Sequence, residues 1–355
     1  MTTRVRFVLL ACTALLGLAF AGSALAAFTP TLAIGHQPPT LGSTGTTSIR
    51  MTVPRDDDAL ARAAIYVAPG YSITTGQAAG TSLGTATAQI LVREPIAGAV
   101  LPLTGTLAVA DPAALVRPTN TTSIGTTVAR CTGTATHNAI WLATLQASGQ
   151  NLDVPIAVDA APAPLASVAS YVLTFCLPNP NIPLEQGGAP FGAKLVLAQL
   201  NFRGNFTAPS SRGTYRWHVV ATPWSNTVNA VNVPGTVDAQ GRVMLPARVT
   251  LNAASTRRHV LTIRGSVLEA DTGVPQRSIV VRVGNKRYNV RTNAGGAYRL
   301  VLKFKRSTNV FVTTTATVPA RSIPCSTPSP FPGVSCVSET LQFFLATRSL
   351  RVRVR

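Results

Sequence analysis

Charge is scarce in this 355-residue chain: 12 % of residues are Asp, Glu, Lys or Arg, and only 12 residues are acidic. Glutamate and lysine, both good helix formers, occur four times each. Threonine, valine, alanine, glycine and proline fill the space they leave, which favours strands and turns over helices. The four histidines, His36, His137, His218 and His259, include no pair at i, i+2 or i+4, so no strand or helix carries a histidine metal pair. Nor do the cysteines form the close C-x₂₋₄-C pair of a zinc site. No metal and no cofactor is expected. Beyond residue 21 proline, glycine and threonine interrupt every apolar run before it reaches the roughly 20 residues a membrane helix needs. No integral membrane anchor is expected, and no Leu-Pro-x-Thr-Gly tail is present.

The first residues carry the opposite signal. Arg4 and Arg6 precede an apolar run from Phe7 to Ala21, and Ser23-Ala24-Leu25-Ala26-Ala27 follows. A basic start, a short apolar core and an A-x-A site read as a secretory signal peptide over 1–26, cut after Ala26. The chain is thus expected to be secreted or extracytoplasmic, in the cell envelope. Cys12 leaves with the signal, and Cys131, Cys176, Cys325 and Cys336 remain. An even number in an exported chain reads as disulfides. Of three connectivities, short-range closure favours Cys325 with Cys336, which leaves Cys131 with Cys176.

Strand patterning is clearest towards the C-terminus. Leu261 and Ile263 alternate with Thr262 and Arg264; Ile279, Val281 and Val283 share a face; Gly284-Asn285 marks a hairpin turn. Tyr298, Leu300, Leu302 and Phe304 point one way, while Arg299, Lys303 and Lys305 point the other. Leu350, Val352 and Val354 alternate with Arg351, Arg353 and Arg355. Period-two alternation means sheets with one buried face, and several short strands in about 100 residues suggest a β-sandwich.

The strings Ile263-Arg-Gly265-Ser-Val267, Thr272-Gly273-Val-Pro275, Val281-Arg-Val283 and Thr292-Asn-Ala-Gly-Gly296-Ala-Tyr298-Arg-Leu300 resemble the carboxypeptidase regulatory-like domain. The resemblance covers roughly residues 259 to 318 and implies a transthyretin-like sandwich that is accessory and not itself catalytic. Asn293 stands where that pattern usually has aspartate. A lysine–asparagine crosslink, known in related surface sandwiches, is excluded: Arg264 occupies the strand position, and a guanidinium is not deprotonated in proteins. Lys286, Lys303 and Lys305 all fall on outward positions.

Residues 27–255 contain many short apolar runs bounded by glycine, proline or Ser/Thr clusters, so strands are expected there too. Ala139–Ala147 suits a strand or a turn or two of helix. The stretch 159–170 would pass for a linker, unless a Cys131–Cys176 bridge makes it a loop inside one domain. This part resembles uncharacterised secreted bacterial proteins. The expected fold is all-β: a large N-terminal β-sandwich-like domain over 27–255, with two sub-domains as the alternative, then a smaller transthyretin/Ig-like sandwich over 256–355.

Candidate chemistry is thin. Gly80-Thr81-Ser82-Leu83-Gly84 matches a nucleophile elbow, but its flanks read as loop and strand, not strand and helix. No catalytic residue is assigned. Asp56-Asp57-Asp58 is the only acidic run and reads as a solvated loop, with calcium as the alternative. Tyr215 and Trp217 share a strand face that suits core packing, and Trp224, in a loop, is the candidate for stacking on a sugar ring.

The sharpest feature is where the charge sits. Residues 256–355 hold 17 Lys and Arg against three acids, a net of +14, while residues 27–255 hold 12 against nine, a net of +3. Such a field attracts polyanions. Arg299, Lys303, Lys305, Arg351, Arg353 and Arg355 form the expected polyanion-binding rows. The expected partner is an anionic polymer or cell-surface polysaccharide, not a specific nucleic acid. The expected function is a non-enzymatic exported structural or binding protein. The alternatives are a secreted hydrolase with an accessory sandwich, or a carbohydrate-binding protein.

Overall fold

The computed structural model describes residues 28–94, 96–147, 149–163, 165–211, 213–245, 248–269, 272–273, 275–323, 339–344 and 348–355. The expected signal peptide, Cys325 and Cys336 lie outside these residues.

The chain is all-β. Its first part contains β1 (Thr31–Gln37), β2 (Thr44–Thr52), β3 (Leu60–Val67), β4 (Ser72–Ile73), β5 (Ser82–Leu91) and β6 (Val100–Val109). After helix α1 (Ile124–Thr132) come β7 (Ala139–Ala147), β8 (Gln150–Ala160), β9 (Tyr171–Cys176), β10 (Lys194–Thr207), β11 (Gly213–Pro223) and β12 (Val237–Leu245). All join one antiparallel sheet in the order β1-β2-β10-β5-β6-β7-β8-β9-β3-β11-β12, with β4 beside β10. The two end strands meet. A Cβ placed on Gly241 of β12 would lie 2.8 Å from Ile34 Cγ1 and 3.2 Å from the Leu32 carbonyl oxygen of β1. The sheet therefore rolls into a near-barrel, and glycine is what lets the seam close.

Aromatic rings fill one half of its interior. Trp141, Phe202, Phe206 and Trp217 are fully buried. Successive ring centroids stand 5.0, 5.1 and 5.7 Å apart, and Tyr71 lies 5.2 Å from Trp217 in an edge-on pose. Edge and tilted pairs of this kind add about 0.5–1.5 kcal/mol each beyond the area they bury. The other half is aliphatic and encloses a cavity of about 50 Å³ lined by Ile49, Ile65, Leu145, Ile156 and Phe175 among others.

Helix α1 is the element the sequence hides. Its β-branched residues read as strand, but Ser123 Oγ caps the Thr126 N–H at 3.2 Å. Ile124 and Val128, one turn apart, supply the buried face, and Gly133 ends the helix at φ 81°. A Cys131–Cys176 disulfide ties the helix to β9. Closing a loop of 45 residues contributes about 4 kcal/mol by the chain-entropy estimate. Because β8 and β9 are paired neighbours, the stretch 159–170 is a connection within one sheet. Ala139–Ala147 is a strand, its Trp141 turned into the core.

The C-terminal part contains β13 (Arg248–Val249), β14 (Asn252–Arg257), β15 (Val260–Glu269), β16 (Thr272–Gly273), β17 (Ser278–Val283) and β18 (Lys286–Arg291). It ends with β19 (Ala297–Lys303), β20 (Thr308–Ile323), β21 (Glu339–Phe344) and β22 (Arg348–Val354). One sheet joins β13, β14, β16 and β19 to β15; the other runs β18-β17-β20, with β21 and β22 paired to β20. Leu261, Ile263, Val267 and Tyr298 on the first face Ile279, Val281, Val312, Ala316 and Val354 on the second, all buried. Tyr298 Oη lies 2.8 Å from the Thr250 carbonyl and 3.2 Å from Thr314 Oγ1, pinning the two sheets together. The expected start at 256 falls inside β14, which pairs with β15, so this sheet begins at Arg248. Leu350, expected on the inward face, is 39 % exposed.

Candidate anion-binding face

The expected cations are all exposed, and the structure divides them. Arg299 and Lys303 project outward from β19, while Arg351 and Arg353 project outward from β22. These strands belong to opposite sheets, so the two rows do not share a face. They converge at one corner instead. There the Phe304 N–H donates to the His259 carbonyl at 2.8 Å, and the His259 N–H donates to the Arg355 carbonyl at 2.5 Å. Lys303, Lys305 and Arg355 are thereby gathered with Arg257, Arg258 and Arg306, which the row pattern had not singled out. The β14–β15 turn carries Arg257 and Arg258 to that corner, a placement that alternation within one strand cannot reveal.

Register makes a second concentration. Arg264 on β15 stands directly opposite Arg299 on β19, and Arg282 on β17 opposite Arg287 on β18. Like charges so placed repel and destabilise a sheet unless something screens them. Among the described residues, no arginine or lysine of the sandwich forms an ion pair with a carboxylate.

The large sheet treats its titratable groups differently. Asp153, its side chain 1 % exposed, accepts from the Arg117 backbone N–H at 3.0 Å and from Arg117 Nε and a terminal nitrogen at 2.9 Å each. Thr144 Oγ1 adds a fourth donor at 2.9 Å. This hydrogen bonding holds the Arg117 pKa above its ordinary value. The acidic run is not a solvated loop: Asp57 and Asp58 are buried. Asp57 accepts from Thr29, and Asn226 donates to Asp58. Lys194 Nζ donates to the Asp57 carbonyl at 2.7 Å. Burial pushes the Asp58 carboxyl up and the Lys194 amine down. Among the described residues no three His, Cys, Asp or Glu side chains converge as a metal site.

One cluster imitates a catalytic triad. His137 Nδ1 lies 2.8 Å from Asp159 Oδ2, and its Nε2 lies 3.3 Å from Thr132 Oγ1. Yet Nε2 also lies 3.0 Å from the Thr134 carbonyl. The hydroxyl sits 2.9 Å from the Val128 carbonyl and 3.0 Å from that of Thr134. The imidazole and the hydroxyl thus share the Thr134 carbonyl, and the contacts of both are bound up in the turn that ends α1. The cluster clamps the end of α1 to β8. Ser82 of the elbow-like string opens β5 and pairs with Ala108, without the strand–turn–helix that exposes a nucleophile. Trp217 is core, and Tyr215 packs 5.9 Å from Tyr71. Trp224 is half-buried, and its indole N–H donates to the Leu177 carbonyl at 3.2 Å.

The fold thus defines a class, an all-β chain in which a near-barrel sheet is joined to a basic β-sandwich. No family model matches the chain, and no curated protein matches it. Among solved structures, it is similar to a membrane-anchored protein from Corynebacterium diphtheriae at 9 % identity and a TM-score of 0.19. That alignment covers 90 % of this chain, which spans about half, 53 %, of the other. A bacterial ice-binding adhesin matches at 8 % identity and a TM-score of 0.20, over 93 % of this chain and 99 % of its own. A Ca²⁺-stabilized ice-binding adhesin of an Antarctic bacterium matches at 10 % and 0.18, over the same shares. Scores this low carry no argument about fold or function. No helix among the described residues is long and apolar enough to cross a membrane.

Proposed function

We propose that this chain is an exported, non-enzymatic structural or binding protein of the cell surface, and that its basic C-terminal sandwich contacts anionic surface material. The observation that carries this reading is the set of exposed cations on both sheets of the sandwich, converging at one corner and, among the described residues, without carboxylate partners. Counterions must screen such a surface, and a polyanion that replaces them gains their release. The I-x-G-x-V and T-N-x-x-G-x-Y strings support reading the sandwich as an accessory module of the carboxypeptidase regulatory-like kind.

The test is retention of the full chain on immobilised dextran sulfate across a salt series. The comparison variant carries Arg351→Ser, Arg353→Ser and Arg355→Ser. The parent should elute at higher salt, and its retention should fall steeply with salt, with a slope that shrinks in the variant. Equal retention, or retention indifferent to salt, overturns the reading.

A further inference from the structure

On the outer face of the β15 sheet a cleft of about 530 Å³ opens beside the turn that precedes β19. Arg264, Arg291 and Arg299 line it, with Asn252 and Asn293 between them. Asn252, Arg264 and Arg299 are register partners on three adjacent strands, so they stand in one line across the sheet. Neighbouring strands lie about 4.8 Å apart, which sets that line at roughly 10 Å. Arg291 reaches the same space from the end of β18, in the opposite sheet. Among the described residues, every charged group that lines the cleft is a guanidinium.

The floor is rigid. Tyr298, bonded to Thr250 and Thr314, lies beneath it. A Cβ on Gly265 would fall 2.0 Å from the Thr250 carbonyl and 2.5 Å from Tyr298 Oη, so backbone and ring leave no slack. Asn293 is also held. Its Oδ1 accepts from the Gly295 and Ala297 N–H groups at 3.0 and 2.9 Å, which leaves its amide –NH₂ as a donor on the rim. An aspartate there would keep both turn bonds and place a negative charge beside three arginines.

We propose that this cleft is a binding site for a phosphoryl group, borne by an anionic polymer or by a lipid headgroup. The proposal rests on the reading of the sandwich as a module that contacts anions, and it names the seat and the chemistry. Two arginines whose Cα atoms are paired across adjacent strands leave a repulsion that a bound anion converts to attraction. A planar carboxylate offers two oxygens in one plane. Three guanidiniums from three strands, with an amide, suit a tetrahedral group whose oxygens point in several directions. The outward row from Arg299 to Lys303 then leads from the cleft to the basic corner, so a polymer seated by one phosphate would run on along the sheet.

The test uses the full chain and pyrophosphate as probe, titrated calorimetrically at low ionic strength. Three variants are compared with the parent: Arg264→Gln with Arg299→Gln, Asn293→Asp, and the terminal triple Arg351→Ser, Arg353→Ser, Arg355→Ser. Loss of charged hydrogen bonds should weaken pyrophosphate about tenfold or more in the double variant. Asn293→Asp should weaken it comparably while melting no lower than the parent, because the turn bonds persist and the added charge offsets the arginines. The terminal triple should bind pyrophosphate as the parent does, although its retention on dextran sulfate falls. The double variant should melt at or above the parent at low salt, since the change removes a repulsion.

Unchanged pyrophosphate affinity in the double variant overturns the site. So does an equal fall in the double and the terminal triple, which would mean a diffuse field. Equal affinity for malonate overturns the phosphoryl assignment. Parent retention without pyrophosphate binding leaves the broader reading standing and removes the cleft; pyrophosphate binding without retention does the reverse. Competition by pyrophosphate against poly(glycerol phosphate), and separately against phosphatidylglycerol vesicles, tells the polymer source from the lipid one.

Discussion

In the near-barrel Asp153 lies buried under four hydrogen bonds, two of them from the Arg117 guanidinium, and His218 rests 3.0 Å from Asp238. In the sandwich Arg264 and Arg299 face each other, and among the described residues neither pairs with an acid. The large part uses its few charges to fix loops and strand ends. The small part carries many and leaves them to solvent or to a ligand. The same side chain is structural when a carboxylate is buried with it, and available when it is opposed by its own kind.

Removing Asp153's partner should break this comparison most visibly. Arg117→Ala leaves a buried carboxylate with two of its four donors, a change that costs about 3–5 kcal/mol when a buried pair is broken. Arg117 is itself 40 % exposed, so the lower end of that range is expected. Urea unfolding should show a clear loss for Arg117→Ala. Arg299→Gln in the sandwich should stay within about 0.5 kcal/mol of the parent or gain. A comparable loss at both sites would erase the distinction.

Salt sharpens the same contrast. Screening should relieve the Arg264–Arg299 and Arg282–Arg287 oppositions, so moderate sodium chloride should stabilise the chain by about 1 kcal/mol. The gain should shrink in a variant carrying Arg264→Gln and Arg282→Gln. A melting temperature that falls with added salt would show that attractive pairs dominate instead.

The smallest effect belongs to His36, buried in the near-barrel between Thr47 Oγ1 at 2.9 Å and Ser43 Oγ at 3.2 Å. Burial lowers its pKa below the usual 6.5. The unfolded chain therefore takes up the proton first as pH falls. Its contribution is fully present above pH 6.5 and is lost as pH falls from 6.5 through the native value. Unfolding curves between pH 7 and 5 should show that decline, and His36→Asn should flatten it. An identical decline in the variant would assign it to other groups.

Much of this was legible in the sequence, and for a local reason. Ile279, Val281 and Val283 recur at every second position and are buried, with Ser278, Val280 and Arg282 on the other face; Arg299 and Lys303 alternate with Leu300 and Leu302 and are exposed. Pleat geometry turns composition into a face without help from the rest of the fold. Which sheet a strand joins is another matter. β10 inserts between β2 and β5, and β3 between β9 and β11, by pairings more than a hundred residues apart. For that reason the two basic rows read as equivalent in the sequence and lie on opposite sheets in the fold. The burial of Asp57 and Asp58 escaped notice in the same way, since Thr29, Lys194 and Asn226 come from distant parts of the chain. The Arg264–Arg299 opposition needed only the pairing of two strands, and the resemblance over 259–318 contained both.

The seam at Gly241 has a consequence for life at high local concentration. An eleven-strand path left flat would present two long edges, each a row of unpaired amides and carbonyls on which another copy could add a strand. With β1 packed against β12, the two ends of that path lie together instead of standing apart, although no backbone ladder joins them. The missing Cβ at Gly241 is thus what allows an end strand to close on its opposite end, and closure of that kind leaves less room for a strand of another copy to add there.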